Sequence, residues 1–206
     1  MRSFLLVLTV AATVALTGCG SAPTGTPQEN PAPTAPPPPA EPASAQFNEA
    51  DLLFLRTMIP HHEQGLDMAR QAKQRATSAE VRQLAGAIEA TQQYEVETMT
   101  TWLRGWNQPL TAERSAHSEH SGSAEHSEHA DIHTTDPEVI TELERTASEE
   151  FDSTFLNVFT GHQHNAVAMA RKETTEGKNP EAKDLADRIV QSRTAQIEQM
   201  LTILGG

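Results

Sequence analysis

The chain has one cysteine, Cys19, among 206 residues. It can therefore form no internal disulfide, no cysteine metal cluster and no ordinary cysteine-nucleophile site. Long hydrophobic runs are also missing: the apolar stretch from Phe4 to Leu16 falls short of the ~20 residues that span a bilayer. Bases are scarce, with 15 Lys and Arg against 28 Asp and Glu, a formal charge of -13. That sign argues against nucleic acid as a partner and gives a general attraction for cations. No segment reads as a strand. There is no phosphate-binding glycine loop, no dinucleotide fingerprint and no nucleophile beside a base, which argues against hydrolases and nucleotide enzymes.

What is present begins with Arg2, the short apolar run, and then Leu16-Thr17-Gly18-Cys19. This pattern reads as a secretory signal over residues 1–18. Its last four residues resemble a bacterial lipobox, which implies cleavage before Cys19 and lipidation of its sulfur. The expected location is extracytoplasmic, anchored to the cell membrane. From Gly20 to Gln46 the chain holds nine of its 13 prolines and almost no large apolar residue. Such a stretch cannot offset its ordering entropy, so residues 19–46 read as a lipidated cysteine and a tether. Residues 47–206 suit one domain.

Within that domain a passage occurs twice without insertion or deletion. A shift of 101 positions superimposes Asp51 on Asp152, Phe54 on Phe155, His61 on His162, Met68 on Met169, Ile88 on Ile189 and Met99 on Met200. Repeats of this length indicate two copies of one supersecondary unit, here residues 48–104 and 136–204 with a linker at 105–135. Asn48 and Asp51 are placed to satisfy the first-turn amides of one helix, and Thr77 with Glu80 reads as a capping box for the next. Asp136-Pro137 opens a third helix, Gly177 closes it, and Asn179-Pro180 opens a fourth. The expected fold is all-α: an antiparallel, ferritin-like four-helix bundle built from two repeated helical hairpins. Pro60, inside the first helix and directly before His61, removes one backbone hydrogen bond and should kink the helix there.

The first helix carries Phe54, Met58, His61, Gly65, Met68 and Ala72 at helical spacing, beside Leu55, Ile59, His62, Leu66 and Ala69. Both histidines therefore face inward. The partner helix carries Val81, Ala85, Ile88, Gln92, Glu95, Met99 and Trp102, so Gln92 and Glu95 interrupt an apolar face. Counting from the turn at Thr77, all four interruptions lie roughly 24 Å from it at ~1.5 Å per residue. A carboxylate buried there needs a proton, a partner or a cation. One reading is a neutral hydrogen-bonded network that fixes helix register. The other is a metal site at His61, His62 and Glu95 with Met58, Met68 and Met99 as nearby soft ligands.

The second copy keeps His162, Met169 and Met200 but places Gln163, Arg193 and Gln196 opposite His62, Gln92 and Glu95. A permanent positive charge disfavours a cation, so one good core site is expected in the first copy and a weakened one in the second. His164 reads as a peripheral ligand. The linker supplies His117, His120, His126, His129 and His133, five of nine histidines within 17 residues. Its repeated His-Ser-Glu-His suits capture of Cu(II), Zn(II) or Ni(II), because imidazole serves those ions.

Phe54-Leu55-Arg56-Thr57-Met58-Ile59-Pro60-His61-His62-Glu63-Gln64-Gly65-Leu66-Asp67-Met68-Ala69, with Thr91-Gln92-Gln93-Tyr94-Glu95-Val96-Glu97-Thr98-Met99, resembles the domain of unknown function 305 (CopM-like) family. The resemblance implies a ferritin-like helical bundle, commonly exported, with some members similar to periplasmic copper-binding proteins. Its motif covers His61, His62, Met68, Gln92, Glu95 and Met99. Gly161-His162-Gln163-His164 departs from the family's paired histidine, and Phe159 stands where a methionine is expected, which counts against a second equivalent copper site. The expected function is non-enzymatic binding of metal ions, copper first and zinc possible. The alternatives are a structural or interaction module with a buried His/Glu network, and a di-metal oxidase. Such oxidases use Glu-x-x-His pairs, and neither repeat contains one.

Overall fold

The computed structural model describes residues 43–111 and 134–205. These residues form five helices: α1 Glu49–Arg75, α2 Ala79–Gly105, α3 Pro137–Arg145, α4 Ser148–Glu176 and α5 Pro180–Gly205. α1 packs along α2, α4 packs along α5, and the two hairpins meet mainly through α1 and α4. The fold is thus an all-α bundle of two hairpins, with no strand among the described residues. None of these helices is long and apolar enough to cross a membrane.

Two sequence expectations about helix ends are corrected. Ser78, not Thr77, caps α2, its hydroxyl accepting from the amides of Glu80 and Val81. Thr77 is instead held by Asp152, which accepts from its amide at 2.9 Å and its hydroxyl at 2.8 Å. The helix opened by Asp136-Pro137 ends at Arg145, and a new one starts at Ser148. The break is fixed by Arg75 at the end of α1, which donates to the carbonyls of Leu143 and Thr146 and stacks its guanidinium on the Phe151 ring, 4.2 Å from its centroid. Elsewhere the local chemistry behaves as read. Asn48 and Asp51 form a capping box, and Asn179 caps α5 by accepting from the Ala182 amide at 2.9 Å. α1 continues through Pro60, whose ring lies on the exposed side.

The repeats are related by an approximate two-fold axis that runs α1 and α4 antiparallel. Asp51, at the start of α1, accepts from the amides of Lys178 (3.1 Å) and Asn179 (2.9 Å) in the turn between α4 and α5. Asp152, its counterpart on α4, accepts from Thr77 and from Ser78 (2.7 Å) in the turn between α1 and α2. Each repeat therefore ties down the hairpin turn of the other. Orphan amides at helix starts need such acceptors, and here they come from across the bundle. The chain ahead of α1 is docked as well: Trp106 and Asn179 donate to the Ser44 carbonyl, and Phe47 stacks on Trp106 at 4.5 Å.

The apolar interior is divided in two. One cluster gathers Leu55, Met58, Met99, Leu103, Met169, Leu185 and Ile189. The other gathers Met68, Leu84, Ile88, Phe151, Phe155, Phe159, Ile197 and Met200. Between them all four long helices contribute polar side chains: His61 and His62 from α1, Gln92 and Glu95 from α2, His162 and Gln163 from α4, and Arg193 from α5. Each is 5% exposed or less.

Candidate metal centre: a polar belt across the bundle

Because the two-fold axis passes between equivalent positions, His61 and His162 meet. Their rings stack at 3.7 Å with 15° between planes, and His61 Nε2 lies 3.2 Å from the His162 carbonyl oxygen. A carbonyl only accepts, so Nε2 of His61 carries the hydrogen and Nδ1 keeps its lone pair. His62 is set the same way, since its Nε2 lies 2.8 Å from Glu95 Oε2. A carboxylate accepts, so His62 Nε2 donates and its Nδ1 is bare. Neither Nδ1 has a hydrogen-bond partner, although both are buried.

Glu95 receives a second donor, Nη2 of Arg193, in an ion pair buried on both sides. Sequence reasoning placed Arg193 in a separate, weakened site of the second copy. The structure corrects this: the helix pairing of the two repeats delivers Arg193 to the carboxylate of the first. One shared centre results, with the acid from one copy and the base from the other. The expected compensation of the buried carboxylate is met by a protein cation.

The remaining contacts close the belt. Thr135 Oγ1 lies 2.9 Å from His162 Nδ1, and Gln64 fixes Thr135 by donating to its carbonyl at 2.8 Å and accepting its amide at 2.7 Å. Gln163 donates to Gln196. Gly65 is required by close approach: a Cβ there would sit 2.5 Å from Gln92 Oε1 and 2.8 Å from His162 Nε2. Both polar atoms of the Gln92 amide, and His162 Nε2, also lack partners. Thr135 and Gln64 carried no motif. The repeat marks His61 and His162 as equivalent, but only the packing of the two hairpins brings this pair together.

Electrostatics keep the imidazoles uncharged. Burial, then the neighbouring His162 and His62, hold His61 well below its usual 6.5. Burial lowers His62 against the opposing pull of Glu95. His162 falls to about 3 through burial first, then through the unfavourable neighbourhood of the His62 ring and the Arg193 guanidinium. Burial pushes Glu95 upward, yet Arg193 and His62 outweigh it and hold the carboxyl below the ordinary range. The belt therefore contains one matched ion pair and neutral nitrogen donors.

The other expected site residues are distributed as follows. Met58, Met99 and Met169 lie in one apolar cluster and Met68 in the other, so the thioethers flank the belt on both sides. His164 is exposed on α4. His117, His120, His126, His129, His133 and Cys19 lie outside the described residues, as do the signal segment and most of the tether. Among the described residues, no three His, Cys, Asp or Glu side chains gather in a metal-holding group.

These features define a two-hairpin helical bundle with a buried histidine-containing belt. The chain belongs to the DUF305 family (Domain of unknown function), which it matches over residues 51–204. A DUF305 fragment from Deinococcus radiodurans has the same fold, with TM-score 0.63 and 27% identity over 80% of this chain and 99% of that one. CopM in the Cu(II)-bound form is 30% identical, with TM-score 0.61 over 75% of this chain and 95% of that one. In the Cu(I)-bound form CopM is 29% identical, with TM-score 0.54 over 74% and 93%. CopM has also been solved bound to Ag. No curated protein matches the sequence.

Proposed function

We propose that this protein is an extracytoplasmic, lipid-anchored metal-binding protein that holds copper. The observation that carries the reading is the pair of buried imidazole nitrogens, Nδ1 of His61 and Nδ1 of His62, each bearing a lone pair and no partner. Leaving a buried acceptor unpaired costs about 1–3 kcal/mol, and a soft ion offsets that cost. His61 and His62 are the ligands of the core, with His162 beside them. The thioethers of Met58, Met68, Met99 and Met169 lie in the two apolar clusters that flank the belt, and thioether with imidazole favours Cu(I). The likeness to CopM, solved with Cu(I), Cu(II) and Ag, supports copper over other ions. His117, His120, His126, His129 and His133, with His164 at the periphery, suit Cu(II) and Zn(II), so the linker collects ions that the bundle retains. Cys19, lipidated after removal of residues 1–18, tethers the domain to the membrane.

Copper here is cargo, and the protein acts as a store or carrier rather than as an enzyme. The test is titration of the full chain with Cu(I) against a competing chelator, beside a variant with the five linker histidines changed to Ala and a His61→Ala, His62→Ala variant. Tight binding that survives the linker changes and is lost in the second variant supports a core site. Binding unchanged by both variants overturns the assignment to histidine.

One observation favours a second reading. Arg193 already neutralises Glu95, so the belt is electrostatically complete as a register-fixing network, and no Cu(I) binding by the linker variant would establish that role.

A further inference from the structure

We propose that Arg193 is the specificity-determining residue of the belt: by locking Glu95 in an ion pair it leaves only uncharged donors, so the core admits a monovalent soft ion and rejects divalent ones. The inference rests on the copper reading above and sharpens it. Among the described residues Glu95 is the only carboxylate in the belt, and its Oε2 is shared between Arg193 Nη2 and His62 Nε2. Buried polar atoms without partners lie on His61 and His62, whose rings are 6.0 Å apart, and on the adjacent His162 and Gln92. A cation arriving there meets the field of the Arg193 guanidinium, which is 0% exposed and 3.3 Å from His62 Nε2, on the same ring as the free Nδ1.

Two costs grow with the charge of the ion. Repulsion from Arg193 doubles from a +1 to a +2 ion, and the desolvation cost rises with the square of the charge. Zn(II) in protein sites also takes four ligands, commonly including an anion, and the belt has no free anion to give. Cu(I) and Ag(I) accept few, neutral and soft donors. The selectivity device is thus contributed by the second repeat, at the position where the first has Gln92.

The test uses the full chain with His117, His120, His126, His129 and His133 changed to Ala, so that the linker does not mask the core. Thermal midpoints and affinities are measured with Ag(I) in chloride-free buffer and with Zn(II). In this parent, Ag(I) should raise the midpoint and Zn(II) should leave it unmoved. Arg193→Gln frees Glu95 and should bind Zn(II) at least tenfold tighter than the parent, with a matching rise in midpoint. Glu95→Gln with Arg193→Gln, which keeps a neutral belt, should retain the Ag(I) response and lose most of the Zn(II) gain. Should Arg193→Gln not fold without metal, refolding in Zn(II) supports the proposal, and failure to refold in Zn(II) overturns it. Equal shifts by Ag(I) and Zn(II) in the parent overturn the selectivity but keep the copper reading. No shift with either ion overturns the core copper reading as well.

Discussion

The two repeats share a backbone plan and differ in charge. Both place an aspartate, Asp51 or Asp152, on the hairpin turn of the other copy. Both bring a histidine, His61 or His162, to the two-fold axis. Away from these shared points the copies diverge. Repeat one carries the belt's acid at Glu95, and repeat two carries its base at Arg193, with Gln92 and Gln196 as their neutral counterparts. The comparison teaches that a duplicated hairpin can keep symmetric scaffolding while dividing a single polar centre between its halves.

The largest expected effect comes from breaking the division of charge. Arg193→Met leaves Glu95 buried without its cation and held only by His62, which should cost about 3–5 kcal/mol in denaturant unfolding, whereas changing both residues, Glu95→Leu with Arg193→Met, should recover most of it. A loss under 1 kcal/mol for the single change would show that the pair is not holding the hairpins together.

Next is the asymmetry at Gly65, where repeat two has Ala166. Gly65→Ala drives a methyl into Gln92 and His162 and should cost about 1–3 kcal/mol by overpacking. At Gly86, where nothing lies within 4 Å of the added Cβ, the same change should stabilise by about 0.4–1 kcal/mol. Parallel thermal melts of the two variants check the opposite signs.

The third asymmetry concerns Glu173, which stands where repeat one has Ala72. Glu173 is 2% exposed, its carboxyl faces Asp51, and Gly177 leaves it room that a Cβ would take. Burial, then the adjacent Asp51, pushes its pKa from 4.5 up to about 8. The folded state therefore holds a proton that the unfolded chain releases, so this stability is fully present below pH 4.5 and is lost as pH rises to about 8. His162 acts in the opposite direction. Its pKa is lowered from 6.5 to about 3, so its contribution is present above pH 6.5 and declines as pH falls toward about 3. Glu173→Gln should flatten the alkaline limb of a stability-against-pH curve and leave the acid limb in place. Unchanged curvature between pH 5 and 8 would contradict the burial assigned to this carboxyl.

The smallest effect belongs to the surface of repeat one, where Glu89 pairs with Arg70 at 3.1 Å and Lys73 at 2.5 Å and where repeat two has Val190. Both cations are half-exposed, so Glu89→Ala should change stability by about 0.2–1 kcal/mol, and less at high salt. A loss comparable to that of Arg193→Met would erase the distinction between the buried and the surface charges.

Much of this was legible beforehand because it depends on local periodicity. His61, His62, Gln92 and Glu95 interrupt helical stripes, and the equal distances of these residues from one turn placed them at one level. The position of α2's cap was read one residue early because Thr77 and Ser78 are both good capping residues, and only Asp152, 75 residues away, assigns Thr77 another partner. The break between α3 and α4 was missed for a similar reason. Nothing near Thr146 in sequence announces that Arg75 will take its carbonyl.

The sequence by itself determined the helices, the two copies, the inward-facing histidines and the excess of acid, because each follows from side chains a few residues apart on one helix or from plain composition. Only the tertiary structure decided that the two halves share one belt, that Arg193 neutralises Glu95, and that His61 and His162 stack. Those outcomes depend on how two hairpins pack across an axis, where contacts join residues about 100 positions apart and a single antiparallel register selects which side chains meet.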